Sequence, residues 1–430
     1  MNYLKKYLKK TYPFSVLFQM RDDTLKLKEK NQILEKKFDT IQRKTDELSI
    51  QGADLLHEIQ KIETTFIEIR DKVDEIEKTI LCLQNSINEE KDIAQNRNSD
   101  IEENIRKIND ECTLLQKNVL TNYTQVNNRI VKIRKDLDYQ YYIALSPVYY
   151  EAALIDWYHE RTGDWLDLNN PQSFNEKIQW LKLYDCTEKK TILSDKYLVK
   201  KEISDRIGKE YVIPLLGVWN KFDEIEFDKL PNQFVLKANH GSGLNVIVRD
   251  KSALDYKDVS KKFNGWMNKN YAFQIGFELQ YMNIERKIIA EPYIGEIDSN
   301  VLDYRFFCFD GVPTYIWVDS ESGTPNHKRN IYDINWNMQD YNVNYPHIEE
   351  EVCCPEKLNE MISLAQKLSE GFAFVRVDFY YINNIIYFGE LTFTPQSGIG
   401  KWDDPMQNLH YGELIKLPPR KSLPQRRNYV

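Results

Sequence analysis

A chain of 430 residues has room for about three domains of ordinary size, and its 29% charged and 42% hydrophobic content is that of a water-soluble protein. No stretch approaches the roughly 20 uninterrupted apolar residues of a bilayer-spanning helix, and the run from Phe14 to Phe18 is too short for a signal peptide, so a cytoplasmic protein is expected. The formal net charge of −8 argues against a nucleic-acid partner, and the six cysteines (Cys82, Cys112, Cys186, Cys308, Cys353 and Cys354) lack the spacings of a disulfide framework or a zinc site.

Residues 1–21 carry Lys5, Lys6, Lys9, Lys10 and Arg21 and no acid. On a helical wheel Tyr3, Leu4, Tyr7 and Leu8 share one arc and the lysines the other, followed by Phe14, Val16, Leu17 and Phe18. This is the pattern of a segment that adheres to an anionic membrane, although a frayed basic terminus would carry the same letters. Residues 22–138 contain no proline or tryptophan, one glycine (Gly52) and three aromatics (Phe38, Phe66 and Tyr123). Phe38, Ile41, Leu48, Leu55, Ile59, Ile62, Phe66, Ile69, Val73, Ile76, Ile80, Leu83 and Ile87 follow steps of three and four that merge to seven at Thr45 and Gly52. The seam resumes at Ile101, Ile105, Ile108, Cys112, Leu115, Val119 and Val126. Such a stripe predicts a long coiled coil that needs partner helices, hence a homo-oligomer, with dimer and trimer both open because Ile and Leu mix along the seam.

From Tyr139 onward aromatics, glycine and proline return, and β-like runs alternate with helical stretches. Residues 139–418 suffice for one enzyme domain with its own core, and the basic end, 419–430, reads as a disordered tail. Ser173 and Glu176 form a capping box ahead of Phe174, Ile178 and Leu181, which predicts a packing helix. Phe234 to Asn239 and Val246 to Val248 read as strands joined through Gly241, Ser242 and Gly243. That loop lets backbone N–H groups approach phosphate, with the cation of Lys237 beside it. Phe374 to Tyr380 and Ile386 to Phe393 read as a hairpin turning at Asn383 and Asn384. With an odd connection such as 383–385, Asp378 lies opposite Glu390 and Arg376 opposite Thr392, all on one face. Val375, Val377, Phe379, Gly389, Leu391 and Phe393 form the other, apolar face. Two opposed carboxylates repel unless a cation sits between them, and hard oxygens suit Mg²⁺.

Asp195-Lys196, Phe234-Val-Leu-Lys237 with Gly241-Ser-Gly243, Ile288-Ile-Ala-Glu291-Pro-Tyr-Ile, Asp303-Tyr-Arg305-Phe-Phe, Arg376-Val-Asp378 and Glu390-Leu-Thr392, in that order, resemble the ATP-grasp enzymes. Phe174-Asn-Glu-Lys-Ile-Gln-Trp-Leu-Lys-Leu-Tyr184, Asn239-His240-Gly241, Asn326-His-Lys-Arg329 and Phe388-Gly-Glu-Leu-Thr-Phe393 look more closely like the TupA-like branch, named for teichuronopeptide synthesis. The similarity covers about 171–417 and leaves out the coil.

The resemblance implies an α+β ATP-grasp fold preceded by a long α-helical coiled coil. It makes Lys196 and Lys237 the ATP-phosphate lysines, Gly241, Ser242 and Gly243 the loop over the phosphates, and Glu291 the acid beside adenine and ribose. Asp378 and Glu390 would hold Mg²⁺. The third ligand of related ligases is an asparagine where this chain has Thr392. Arg376 would stabilise charge developing around an acyl phosphate, Arg305 would face the phosphates, and His327, Lys328 and Arg329 are candidates for an acidic part of the substrate. The implied activity is ADP-forming ligation of a carboxylate to an amine. The acid would be a uronic acid of a cell-surface polysaccharide or its precursor and the amine an amino acid or amino alcohol. The basic amphipathic segment 1–21 fits such a substrate, since a lipid-linked glycan would be met at the inner face of the plasma membrane. A kinase acting on a sugar hydroxyl and a coiled-coil scaffold with an idle ATP site are the alternatives.

Overall fold

The computed structural model describes residues 75, 78, 79, 82, 99–295 and 301–427, and for 99–105 the backbone alone. The basic segment 1–21 and all the seam positions from Phe38 to Ile87 lie outside the described residues. Two compact units divide the chain, 1–133 and 134–430. Helix α1 (Ser99–Ala144), which lies in the first unit as far as Ile133, runs without interruption through the resumed seam, where no glycine or proline intervenes. Cys112, Val119, Val126, Ile130 and Ile133 are half-buried along it, whereas Ile108, Leu114, Leu115 and Leu120 are exposed. Among the described residues no helix is long and apolar enough to cross a membrane.

In the second unit, α2 (Tyr150–Thr162) ends at Gly163, whose φ of 83° suits a residue without Cβ. Helix α3 (Phe174–Tyr184) opens with the expected capping box: Glu176 N donates to Ser173 Oγ, and Ser173 N donates to the Glu176 carboxylate at 2.8 Å. Helices α4 (Glu188–Ser194) and α5 (Val199–Ile207) follow. A four-stranded antiparallel sheet has the order β1 (Gly217–Trp219), β4 (Ile288–Pro292), β2 (Phe234–Ala238), β3 (Asn245–Val248). Helix α6 (Tyr256–Met267) lies between β3 and β4 in the chain. A second antiparallel sheet has the order β7 (Lys328–Asp333), β6 (Val312–Ser320), β5 (Asp303–Phe309), β8 (Phe374–Ile382), β9 (Ile385–Thr392). Helices α7 (Leu358–Ser369) and α8 (Pro405–Glu413) complete an α+β unit.

Alternation gives the second sheet two different faces. Phe306, Cys308, Ile316, Val318, Val375, Val377, Phe379 and Leu391 join one core with Met361, Leu364 and Leu368 of α7 and Val199 and Ile203 of α5. On the opposite face Phe307, Trp317 and Phe374 pack with Phe174 and Tyr411 in the other core, whose ring pairs include Phe307 on Trp317 at 4.1 Å. Farther along the same strands that face turns polar.

The β8–β9 pairing departs from the expected hairpin in its mechanism. Asn383 and Asn384 both have positive φ and form a two-residue turn, with Ile382 opposite Ile385. A turn of that length alone would set Asp378 against Gly389. A bulge between Asp378 and Phe379 shifts the ladder, so that Asp378 faces Glu390 and Arg376 faces Thr392. Gly389 therefore leaves the apolar face, and Phe388 is buried there instead. At Gly389 a Cβ would lie 3.1 Å from the Asp378 carbonyl oxygen.

The basic end is also corrected as far as residue 427. Lys421 Nζ lies 2.5 Å from Asp185, Arg420 sits over the Tyr184 ring and donates to Leu168 O, Leu423 packs on the core, and Arg427 pairs with Glu188 at 2.8 Å. The cations that suggested a solvated tail are spent on acids, carbonyls and rings of the helical layer.

Candidate active site

Lys196 follows α4 on a turn fixed by a buried knot. The Asp195 carboxylate accepts from Tyr197 N, Leu198 N and Asn239 Nδ2 (2.8, 3.2 and 2.9 Å), and Lys196 N donates to Asn239 O. Asn239, fully buried at the end of β2, also takes Lys287 N at 2.7 Å. This knot accounts for Asp195 and Asn239 and aims Lys196 Nζ at Glu390 Oε2, 3.1 Å away. His240 beside it approaches Trp266 O at 3.1 Å, and burial pushes its imidazole down to about 4, so it is neutral.

Gly241, Ser242 and Gly243 join β2 to β3. A Cβ on Gly241 would meet the Tyr271 ring at 2.4 Å, and Gly243 has φ of +71°, so these glycines answer to a close ring and a left-handed turn. Lys237 leaves β2 at 2.5 Å from Glu291 Oε2, and Lys200 of α5 approaches Glu291 Oε1 at 2.5 Å. Glu291, expected beside adenine and ribose, thus bridges two lysines. Burial would raise its carboxyl, but Lys237 and Lys200 outweigh that and hold it below the usual range. Sequence reasoning missed Lys200. Its signal is its place four residues after Lys196, in the first turn of α5.

Across the polar face of the five-stranded sheet, charges alternate. Arg376 forks onto Asp378, Nε to Oδ1 at 2.7 Å and Nη2 to Oδ2 at 2.5 Å, and the same Nη2 reaches Thr392 Oγ1 at 3.0 Å and Glu390 Oε1 at 3.2 Å. Thr392 Oγ1 donates to Glu390 Oε1 at 3.0 Å. Oxygens of all three expected metal ligands therefore converge on one cationic nitrogen, and they are hard donors of the kind Mg²⁺ takes. The donor set fits the ion, with Arg376 supplying the charge between the acids. Burial pushes the Asp378 carboxyl up to about 6, despite Arg376. Burial acts on Glu390 too, but Lys196 and Arg376 overcome it and hold this group at about 2.

Arg305 on β5 continues the row. It pairs with Asp319, lies 2.9 Å from Asp303, and its Nε, 3.8 Å from Asp378 Oδ2, is buried without a hydrogen-bond partner. Arg329 is buried in a fork onto Asp319 (2.5 and 2.6 Å), donates to Val343 O at 3.0 Å and stacks on Trp317 and Tyr345. Its donors are thus used internally. Lys328 alternates to the other face and pairs with Glu349 at 3.0 Å. His327, stacked on Tyr345 with Nε2 3.1 Å from Asp319, joins the row, so the three substrate candidates do not converge. The row reads Lys196, Glu390, Arg376, Asp378, Arg305, Asp319, Arg329. Tyr271 lies at its Lys196 end, where it bonds Ser242 and feels Glu278 and Glu390.

One antiparallel sheet carrying Lys237 and a glycine loop, with Lys196 and Lys200 from the α4–α5 segment, and a second sheet carrying an acid–arginine row define an ATP-grasp protein, a class of ATP-dependent ligases. The family described as TupA-like ATPgrasp matches residues 176–416, more than half of the chain, and the chain belongs to it. Among curated proteins no match is found. Solved structures with distant similarity include D-alanine–D-alanine ligase from Helicobacter pylori (18% identity, 53% of this chain and 62% of that one, TM-score 0.29). Another is the Bacillus anthracis D-alanine–D-alanine ligase complexed with ATP (19%, 52% and 64%, 0.32). A third is a RimK domain ATP-grasp protein from Sphaerobacter thermophilus (12%, 52% and 66%, 0.26). This chain spans under two thirds of the length of each.

Proposed function

We propose that the chain is an ADP-forming carboxylate–amine ligase that joins an amino acid or amino alcohol to a uronic acid of a cell-surface polysaccharide or its precursor. The observation that carries this reading is the convergence of Asp378, Glu390 and Thr392 oxygens on one point of the five-stranded sheet, with Lys196 beside Glu390, and with Lys237 of the other sheet paired to Glu291. Asp378, Glu390 and Thr392 would hold Mg²⁺, which when bound neutralises phosphoryl charge. Lys196, Lys237 and Lys200 would bind the ATP phosphates, exchanging their carboxylate partners for phosphate oxygens. The substrate carboxylate attacks the γ-phosphorus, ADP leaves, and the amine then attacks the acyl carbon, with phosphate as the leaving group. Arg376 and the free Nε of Arg305 supply positive charge where the acyl phosphate forms and breaks. The apolar seam of α1, exposed at Ile108 and Leu115, supports self-association through the coil, and the basic segment 1–21 would keep the enzyme at the inner face of an anionic membrane.

The test is ADP release from Mg·ATP with hexuronic-acid oligosaccharides, with and without an amino acid. Release with an amide product that depends on both co-substrates is expected. A phosphorylated sugar formed without amine would make the protein a kinase, and no ADP under any condition would make it a scaffold.

A further inference from the structure

Helix α3 buries three polar side chains, Asn175, Gln179 and Lys182, that core packing does not require. Spaced four and three apart, they share one face, and that face grips one segment of chain. Asn175 Nδ2 donates to Gly400 O at 2.9 Å. Gln179 Nε2 donates to Ser397 O and Gly398 O at 2.9 and 2.7 Å. Lys182 Nζ donates to Ser397 O and Ser397 Oγ, both at 2.7 Å, and to Gln179 Oε1 at 2.9 Å. The gripped segment needs such support, because Gln396, Ser397 and Gly398 are all left-handed, with φ of 50°, 52° and 64°. For residues with a Cβ that conformation is strained and persists only where its surroundings fix it.

The segment is the exit of β9, the strand that carries Glu390 and Thr392. Between Thr392 and the left-handed turn, Thr394 is pinned from another side, donating to Glu278 Oε1 at 2.9 Å and accepting from Gln280 Nε2 at 2.8 Å. Glu278, buried and opposite in charge to Lys182, follows a second left-handed turn, Gly276 and Phe277, where a Cβ on Gly276 would meet the Trp157 ring at 2.7 Å. Lys182 Nζ lies over that same ring at 4.6 Å. Lys182 thus bonds the first strained turn directly and packs on the ring that abuts the second.

We propose that Asn175, Gln179 and Lys182 are positioning residues that fix the exit of β9 and thereby hold the Glu390 and Thr392 oxygens in the arrangement that takes a divalent cation. This rests on the ligase reading of the same site. Outer residues that orient metal ligands carry about 10–100-fold in metal affinity when removed, although none of these three touches a ligand directly. The experiment measures ADP binding by calorimetry with and without Mg²⁺, together with the melting temperature, for the parent, Lys182→Met and the milder Ser397→Ala. Metal-free ADP affinity should match the parent, and the gain in affinity on adding Mg²⁺ should shrink about tenfold or more in Lys182→Met. In Ser397→Ala, which removes one hydroxyl, the acceptor for Lys182 and the donor to Ile275 O, and keeps every charge, it should shrink less. A role in core packing alone lowers the melting temperature and leaves the Mg²⁺ gain intact. That result in Lys182→Met, or in Ser397→Ala if Lys182→Met does not fold, overturns the proposal. A parent that binds no ADP at all overturns the ligase reading itself, a separate outcome.

Discussion

At the scale of single residues the two acids that face each other across β8 and β9 titrate in opposite senses, and pH can separate them. Asp378 is pushed up by burial, to about 6 from 3.8. Between those values the native protein holds more protons than the unfolded chain, so this group's contribution to stability grows as pH falls through the window. Glu390 is held at about 2 against 4.5, because Lys196 and Arg376 outweigh the effect of burial. Its contribution is full above 4.5 and is lost as pH falls toward 2. Denaturant unfolding of the parent, Asp378→Asn and Glu390→Gln across this range is therefore expected to give difference curves of opposite slope. The parent gains on Asp378→Asn as pH drops from 6 toward 4 and loses against Glu390→Gln below about 4.5. Curves of the same sign would mean that the two carboxyls share one environment.

Among the elements, the glycine loop between β2 and β3 shows what a sequence can and cannot tell. The strands on either side are legible from their β-branched and apolar letters, and the loop from Gly241 and Gly243. The reason for Gly241 is not, because Tyr271, whose ring excludes a Cβ, comes from a segment 30 residues on that only the fold brings near. Gly243→Ala, in open space at positive φ, should cost about 1 kcal/mol of backbone strain and leave the Mg·ADP melting shift nearly intact. Gly241→Ala must move the ring that bonds Ser242, so it should cost more and also reduce that shift. Equal effects in thermal unfolding with and without Mg·ADP would place Tyr271 outside the nucleotide site. The β8–β9 hairpin teaches the same lesson. Alternation puts Asp378 and Glu390 on one face, but a bulge rather than an odd turn aligns them, and bulges leave no periodic trace. Nothing in the sequence marks Asn175, Gln179 and Lys182 of the packing helix α3, because their partners lie more than 200 residues away.

For the whole molecule, the division into units sets where the chain can be cut. The change of composition near Tyr139 marks the enzyme domain in the sequence, yet its compact unit starts at Arg134, inside α1. The last turns of that helix belong to the enzyme's core. Tyr139 is buried and its hydroxyl accepts from Asn270 N at 2.9 Å, Tyr142 packs edge-on against Phe277 at 5.0 Å, and Asp136 pairs with Lys269 at 2.5 Å. A chain beginning at residue 134 should fold, bind Mg·ADP and run as a monomer in light scattering, whereas the full chain should self-associate through the seam along residues 38–126. A chain beginning at 145 loses both rings, each worth about 3–5 kcal/mol if buried truncations elsewhere are a guide, a large part of the roughly 5–15 kcal/mol that holds a domain folded. It should be unfolded or far less stable at the same temperature. If the two truncations melt together, the end of α1 contributes nothing to the enzyme's core, and if the full chain is monomeric at micromolar concentration, the seam of α1 is not an interface.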